Sequence, residues 1–332
     1  MNHRSAPACR GGGRVQGCTQ DGRSSTATRI SRCSRRSGGN TGCMTDIAKQ
    51  PSGVGLTAIA VAYGRLVEAQ RPNPLFEDRF AGIFLSELGE VRELQRVRPE
   101  PGSPQDRVAR TGLDQVSART RYFDDLLLEA AETCPQVVIL ASGLDARAFR
   151  LEFPAGTRLF EIDLPDMLEF KESVVAKHGL KPTCARTALT VDLRTDFLPE
   201  LVRHGFGPAT PTVWLAEGLL MYFTQQENDE LIERIGIASA PGSRLAILHA
   251  SEEALRRRRE SIEQAGLTNS FMGSMARDMW KSGLRTDPVD WLTPFGWTVT
   301  SIPAADQAAV YGRPVDAGDD FQRSAWFIDA TR

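Results

Sequence analysis

Four acidic side chains stand where apolar runs end: Asp145, Asp163, Asp192 and Glu217 each close or shortly follow a stretch rich in Val, Ile, Leu or Ala. A carboxylate delivered to the end of a buried strand can accept hydrogen bonds from a ligand, each contributing roughly 1.5–3 kcal/mol when charge-assisted. Gln136-Val-Val-Ile-Leu-Ala-Ser-Gly-Leu-Asp145 runs from a β-branched strand into a tight turn, where Gly143 lets the backbone bend beneath a ligand. Glu161-Ile-Asp163 ends the next apolar run, a position from which Asp163 can accept both hydroxyls of a ribose. At Val191-Asp192-Leu193 the carboxylate suits an adenine amino group and the following amide suits its ring. Glu217, just past Val213–Ala216, is placed to meet a ligand's ammonium. The competing readings are structural: helix caps for Asp145 and Asp163, a surface turn for Asp192, and a hydrogen-bonded buried Glu217.

The turn pattern Ala141-x-Gly143-x-x-Ala146 only loosely matches the glycine fingerprint of dinucleotide sites, because its first glycine is Ala141. Asp145 also sets a negative charge where helix amides would receive phosphates, partly offset by Arg147. A nucleoside without phosphate, such as a methyl-sulfonium nucleoside bearing an amino acid, suits this turn better. Arg119 shares a helical face with Phe123 and Leu126, so its guanidinium either reaches water or meets a carboxylate; Arg121 competes from another face. The run Arg256–Arg259 is flanked by Glu252, Glu253, Glu260 and Glu263 and reads as a solvated helix. No His pair, Ser-His-Asp order or Cys cluster points to a metal or a covalent nucleophile. His249 ends the fifth apolar run, as a general base or as a satisfied structural histidine.

These residues need a scaffold, and the hydrophobic period supplies one. Strands at 137–141, 158–162, 185–191, 213–216 and 244–249 alternate with helices, the pattern of a mostly parallel, doubly wound sheet. Two further strands, 297–302 and 325–329, are joined without an obvious crossover helix and read as an antiparallel pair at the sheet edge. Before the sheet, apolar spacing predicts helices from Thr57 to Ala69, over 78–94 and over 114–132, with a Pro-rich loop at 99–104. The expected organisation is a helical cap over 44–134, a sheet domain over 135–332, and a charged helical insertion at about 251–285 able to cover a substrate.

The 332 residues are 41% hydrophobic and 25% charged, enough to bury a large core, with no apolar run long enough for a membrane span. Residues 1–43 hold eight Arg against Asp21 alone, so the rest of the chain is acidic and offers no electrostatic footprint for nucleic acid. That segment also carries Cys9, Cys18, Cys33 and Cys43 and little that can pack; it reads as disordered leader, with Met44 as the expected start. Only Cys134 and Cys184 then remain, which fits a reducing cytoplasm.

Taken together, Ala118-Arg-Thr120, Val138-Ile-Leu-Ala-Ser-Gly-Leu-Asp-Ala-Arg-Ala-Phe-Arg150, Glu161-Ile-Asp163, Val191-Asp-Leu-Arg194 and Ala216-Glu-Gly-Leu-Leu-Met-Tyr222 make the chain, over about 53–332, resemble the leucine carboxyl methyltransferase-like family, especially its bacterial branch. The resemblance implies a class I methyltransferase fold: a Rossmann-like seven-stranded sheet with an antiparallel edge and an N-terminal helical cap. It implies S-adenosylmethionine as cofactor, with Asp163 on the ribose, Asp192 and Leu193 at the adenine, and Arg119 on the methionine carboxylate. Ala141 to Gly143 would pass beneath the cofactor, Glu217 would lie near its methionine end, and Arg65 would be a second cationic contact. The reaction expected is methyl transfer to an oxygen, hydroxyl or carboxylate, of a small-molecule acceptor. A hydroxyl acceptor makes His249 or Tyr222 the candidate base. His249 stands where this branch would carry an acid, and Ala141 replaces a glycine of the eukaryotic enzymes. Two rivals share the same residues: an NAD(P)-dependent oxidoreductase and a non-catalytic nucleoside-binding module.

Overall fold

The computed structural model describes residues 55–88, 99–314 and 323–332. The basic segment 1–43, the start at Met44 and the far end of the helix expected over 78–94 lie outside the described residues. Seven strands form one sheet: β1 (Gln136–Leu140), β2 (Arg158–Asp163), β3 (Ala185–Thr190), β4 (Thr212–Ala216), β5 (Arg244–Ala250), β6 (Thr298–Pro303) and β7 (Ala325–Thr331). Their order is β3-β2-β1-β4-β5-β7-β6. β1 to β5 run parallel, and β7 lies antiparallel between β5 and β6. This is the mostly parallel, Rossmann-like sheet that the alternating apolar runs predict. β1 and β4 are buried along their whole length because helices cover both faces, which is why they read as unbroken apolar runs rather than alternating ones.

Among the described residues, three helices precede the sheet: α1 (Gly55–Ala69), α2 (Arg79–Ser86) and α3 (Pro104–Ala131). α3 begins ten residues before the expected Asp114. The proline-rich loop hides a helix start, in which Pro104 occupies the first turn and the Ser103 hydroxyl accepts from Asp106 N at 3.1 Å. Asp78 caps α2 by accepting from Phe80 N and Ala81 N. Within the sheet region follow α4 (Arg147–Arg150), α5 (Pro165–His178), α6 (Leu198–Arg203) and α7 (Gln225–Ile237). The insertion folds as α8 (Glu252–Gln264) and α9 (Phe271–Asp278), and α10 (Pro288–Leu292) comes after it. A helix, α11 (Ala304–Val310), does stand between β6 and β7, contrary to the direct connection expected there; its short, Ala-rich sequence carries too little periodicity to be read.

The cap shares its core with the sheet. Ile59, Phe84, Phe123 and Leu127 pack in one buried cluster with Val137, Ile139, Leu215 and Phe327. The opposite face of the sheet is closed by a second cluster, built on Val138, Phe160, Trp214, Ile247 and Trp291 with Leu231 and Ile235 of α7.

Candidate active site

The carboxyl ends of β1, β2 and β4 converge under α1 and α3. At the turn after β1, Ala141 and Gly143 both take left-handed backbone conformations, with φ of 50° and 51°. The Gly143 amide donates to Asp163 Oδ2 at 2.5 Å, and the Leu164 amide donates to Asp163 Oδ1 at 2.7 Å. Each carboxylate oxygen keeps a further lone pair, so the side chain is fixed in place yet still able to accept two hydroxyls. Burial raises the Asp163 pKa against the lowering effect of those amides. Gly143 is required for a second reason that its sequence context does not reveal: a Cβ there would stand 2.9 Å from the Ala58 Cβ of α1. The glycine therefore admits the cap helix as well as the turn. Ser142 Oγ is buried at the same turn, with no hydrogen-bond partner among the described residues.

Beyond the turn lies a buried charge network joining cap and sheet. Arg147 spends all three guanidinium nitrogens on carboxylates: Nε reaches Asp124 Oδ1 at 2.7 Å, Nη1 reaches Asp145, and Nη2 reaches Glu217 Oε2 at 2.9 Å. Arg150 forks onto Asp124 at 2.6 and 2.7 Å. Arg65 pairs with Asp78 at 2.8 Å and donates to the Leu144 carbonyl, so the cationic contact expected for a ligand is committed within the protein. Burial is the largest single influence and would raise the Asp145 and Glu217 pKa values, but the surrounding cations together outweigh it: Arg147, Lys171 and Arg65 hold Asp145 at about 2, and Arg147 and Arg119 hold Glu217 below its ordinary range. Asp145 also accepts from Arg147 N at 2.7 Å and so does serve as the helix-start acceptor.

Arg150 Nε, 3.9 Å from Asp78 Oδ2, has no hydrogen-bond partner among the described residues, and Arg119 is the least completed arginine of this network. Its Nε lies 2.8 Å from Glu217 Oε1, close enough for an ion pair but not aligned for a hydrogen bond. The residue is only 8% exposed, yet no hydrogen-bond partner of its Nη atoms is seen among the described residues. A buried guanidinium with free donors is costly unless an anion completes it. Arg121, by contrast, pairs with Asp125 and donates to the Leu75 carbonyl at the surface.

Asp192 is partly exposed and forked by Arg194, which lowers its pKa; Leu193 is buried and its carbonyl accepts from Arg234 Nη1 at 3.1 Å. Both sit beyond the end of β3, next to Asp163 at the end of the paired strand β2. The two candidate bases separate. The Tyr222 hydroxyl donates to Met275 Sδ at 3.6 Å beside the insertion, and burial raises its pKa against the opposing hydrogen bonds of Thr57 and Trp280. His249 falls on the other face of the sheet: Leu245 and Ile247, in step with it along β5, belong to the cluster under α7, whereas Ala246 and Leu248 face the cap. It is fully buried against Trp291, and desolvation pushes its pKa down to about 4. The structure therefore does not bring His249 to the side where Asp163 and Glu217 stand.

The sequence missed Asp124, Arg150 and Ser142. Only the spacing of Arg147 and Arg150 after Asp145 hints at an arginine face. The Arg256–Arg259 run is only half solvated, as Arg258 donates to the Val108 carbonyl and Arg259 to the carbonyls of Ala276 and Trp280. Among the described residues no cluster of three His, Cys, Asp or Glu is grouped to hold a metal ion, and no helix is long and apolar enough to cross a membrane. A carboxylate pinned by two amides, a glycine turn flanked by negative charge, and an incomplete arginine fit a phosphate-free nucleoside that carries an amino acid.

Comparison with known proteins agrees with that chemistry. A family model described as leucine carboxyl methyltransferase matches residues 58–236. A relative from Parafrankia sp., provisionally named an S-adenosyl-L-methionine-dependent methyltransferase, is 41% identical over 282 residues, covering 85% of this chain and 88% of its own. Another from Mycobacteroides abscessus, under the same provisional name, is 40% identical over 294 residues, covering 83% of this chain and 93% of its own. Among solved structures, a DUF574 family protein from Streptomyces avermitilis is 12% identical with a TM-score of 0.49, over 83% of this chain and 97% of that one.

Proposed function

Because the chain belongs to the leucine carboxyl methyltransferase family and is an S-adenosylmethionine-dependent methyltransferase, we propose that it methylates an oxygen, hydroxyl or carboxylate, of a small-molecule acceptor. The observation that carries the reading is the pair formed by a pinned ribose acceptor, Asp163, and a buried, uncompleted cation, Arg119. When bound, S-adenosylmethionine supplies the electrophilic methyl carbon. Asp163 holds the ribose, Asp192 and the Leu193 amide frame the adenine, Arg119 takes the methionine carboxylate, and Glu217 stands near the ammonium. The protein's contribution is alignment and exclusion of water, worth several kcal/mol when the reacting atoms are held in line.

A carboxylate acceptor attacks without losing a proton, and an alcohol must shed one. Tyr222 is held protonated by burial and its hydroxyl donates to Met275 Sδ, so it does not act as the base, and an alcohol's proton passes to solvent as S-adenosylhomocysteine forms. Among the described residues, Cys134 and Cys184 are both free, which suits the reducing cytoplasm proposed as the site of action.

Thermal unfolding measured separately with S-adenosylmethionine, S-adenosylhomocysteine and NADH tests the reading. A ligand at about a hundredfold excess over Kd adds about 2.7 kcal/mol of stability, so the two sulfur nucleosides should raise Tm. Stabilisation by NADH alone would replace this reading with an oxidoreductase. Binding without methyl transfer across a panel of alcohols, phenols and carboxylic acids would replace it with a binding module.

A further inference from the structure

We propose that Arg147 and Asp124 are positioning residues for the amino-acid end of the methyl donor, acting through Glu217 and Arg119 without touching the donor themselves. The inference rests on the reading above that Arg119 meets the methionine carboxylate. Arg119 is held on its inner side by Glu217 Oε1, at 2.8 Å from Nε, while its Nη atoms are left with donors to spare. The direction in which those donors point depends on where Glu217 sits. Glu217 follows the last residue of β4 and is followed by Gly218 at φ 64°, so the backbone turns away at once and helical neighbours do not restrain the side chain.

What restrains it is Arg147, whose Nη2 lies 2.9 Å from Glu217 Oε2. Arg147 is itself immobilised by Asp145 on its own turn and by Asp124 on α3. A planar fork with every nitrogen on a carboxylate has one orientation, and it transmits that orientation to each partner. The chain of contacts runs Asp124, Arg147, Glu217, Arg119, and it returns to α3, where Asp124 and Arg119 are only five residues apart. Both ends of the chain therefore ride on one rigid helix, and the loop closes through the sheet. A loop of this kind sets a side chain's aim independently of the nucleoside contacts, which lie at Asp163 and Asp192.

The test exploits a truncated ligand. 5′-Methylthioadenosine carries the nucleoside and sulfur of S-adenosylhomocysteine but lacks its amino-acid end. Calorimetric affinities for both ligands are compared in the full chain and in Asp124→Asn, a substitution that preserves size and removes charge. Arg147→Lys, which keeps the charge and loses the fork, serves as a second variant should the first fold poorly. The expected result is about a tenfold loss for S-adenosylhomocysteine with 5′-methylthioadenosine unchanged. Equal loss for both ligands, or no loss for either, overturns the positioning role. Asp163→Ala separates this from failure of the underlying pocket: it should weaken both ligands by about a hundredfold, from two lost charge-assisted bonds. Unchanged affinity in a folded Asp163→Ala protein sinks the pocket itself.

Discussion

At the scale of single residues, the charged partners a buried group keeps decide its ionisation state. Asp145 and His249 make the contrast. Asp145 is buried beside Arg147 and kept ionised with a pKa of about 2. Because its folded pKa is depressed, it contributes stability above its unfolded value of 3.8 that is lost as pH falls toward about 2. His249 is buried without a charged partner and kept neutral. Its folded pKa of about 4 lies below the unfolded 6.5, so above 6.5 it contributes no pH dependence. Between 6.5 and 4 the unfolded chain takes up a proton that the folded chain refuses, and stability falls on the order of 3 kcal/mol across that window. Urea unfolding of the protein and of His249→Leu at a series of pH values checks this. The variant should lose less stability than the parent between pH 6.5 and 4; parallel profiles would show that the imidazole is not buried as described.

Elements meet where a missing side chain allows it. Gly143 carries the turn after β1 at φ 51° and leaves room for Ala58 of α1, so one residue serves both that turn and the docking of the cap. Gly143→Ala should cost about 1–2 kcal/mol from the left-handed backbone, with the clash against Ala58 added to it. Ala58→Gly in the same chain should recover the clash and leave the backbone cost, as read from the urea midpoint in a double-mutant cycle. Strict additivity of the two changes would mean that α1 does not approach the turn so closely. This contact was not legible beforehand, since a glycine required by a turn and a glycine required by a neighbouring helix look identical in one chain. The start of α3 was hidden for a related reason. Proline-rich stretches read as loops, yet a proline following a serine also satisfies the first turn of a helix.

For the molecule as a whole, the cap has no separate core: it shares one of the two buried clusters with the sheet. Phe84 and Phe123 from the cap pack with Ile139, Leu215 and Phe327 from the sheet, and the Arg147 network bridges the same boundary. Unfolding followed by far-ultraviolet circular dichroism and by tryptophan fluorescence should therefore give coincident, single transitions. The fluorescence reports mainly on Trp214, Trp280, Trp291 and Trp297, which are all buried. A separate early transition in helical signal would show that the cap stands alone. Binding of the methyl donor is expected to stabilise cap and sheet together, because its proposed contacts at Arg119 and Asp163 come from both.

The strand ends, their acidic residues and the alternation of strands with helices could be read from the chain alone, because a strand buried on both faces announces itself in a local run of apolar residues. Asp163 and Glu217 were identifiable for that reason, each standing within one residue of such a run. What only the folded arrangement decided is which partners the charges keep. Arg65 pairs with Asp78, Arg147 reaches three carboxylates, and Arg119 meets only Glu217 among the described residues, with no hydrogen bond formed. His249, one residue out of step with the cap-facing side of β5, is turned away by the alternation of a strand that position along the chain does not phase. Ion pairing and facing are contacts between segments far apart in sequence, and local pattern carries no record of them.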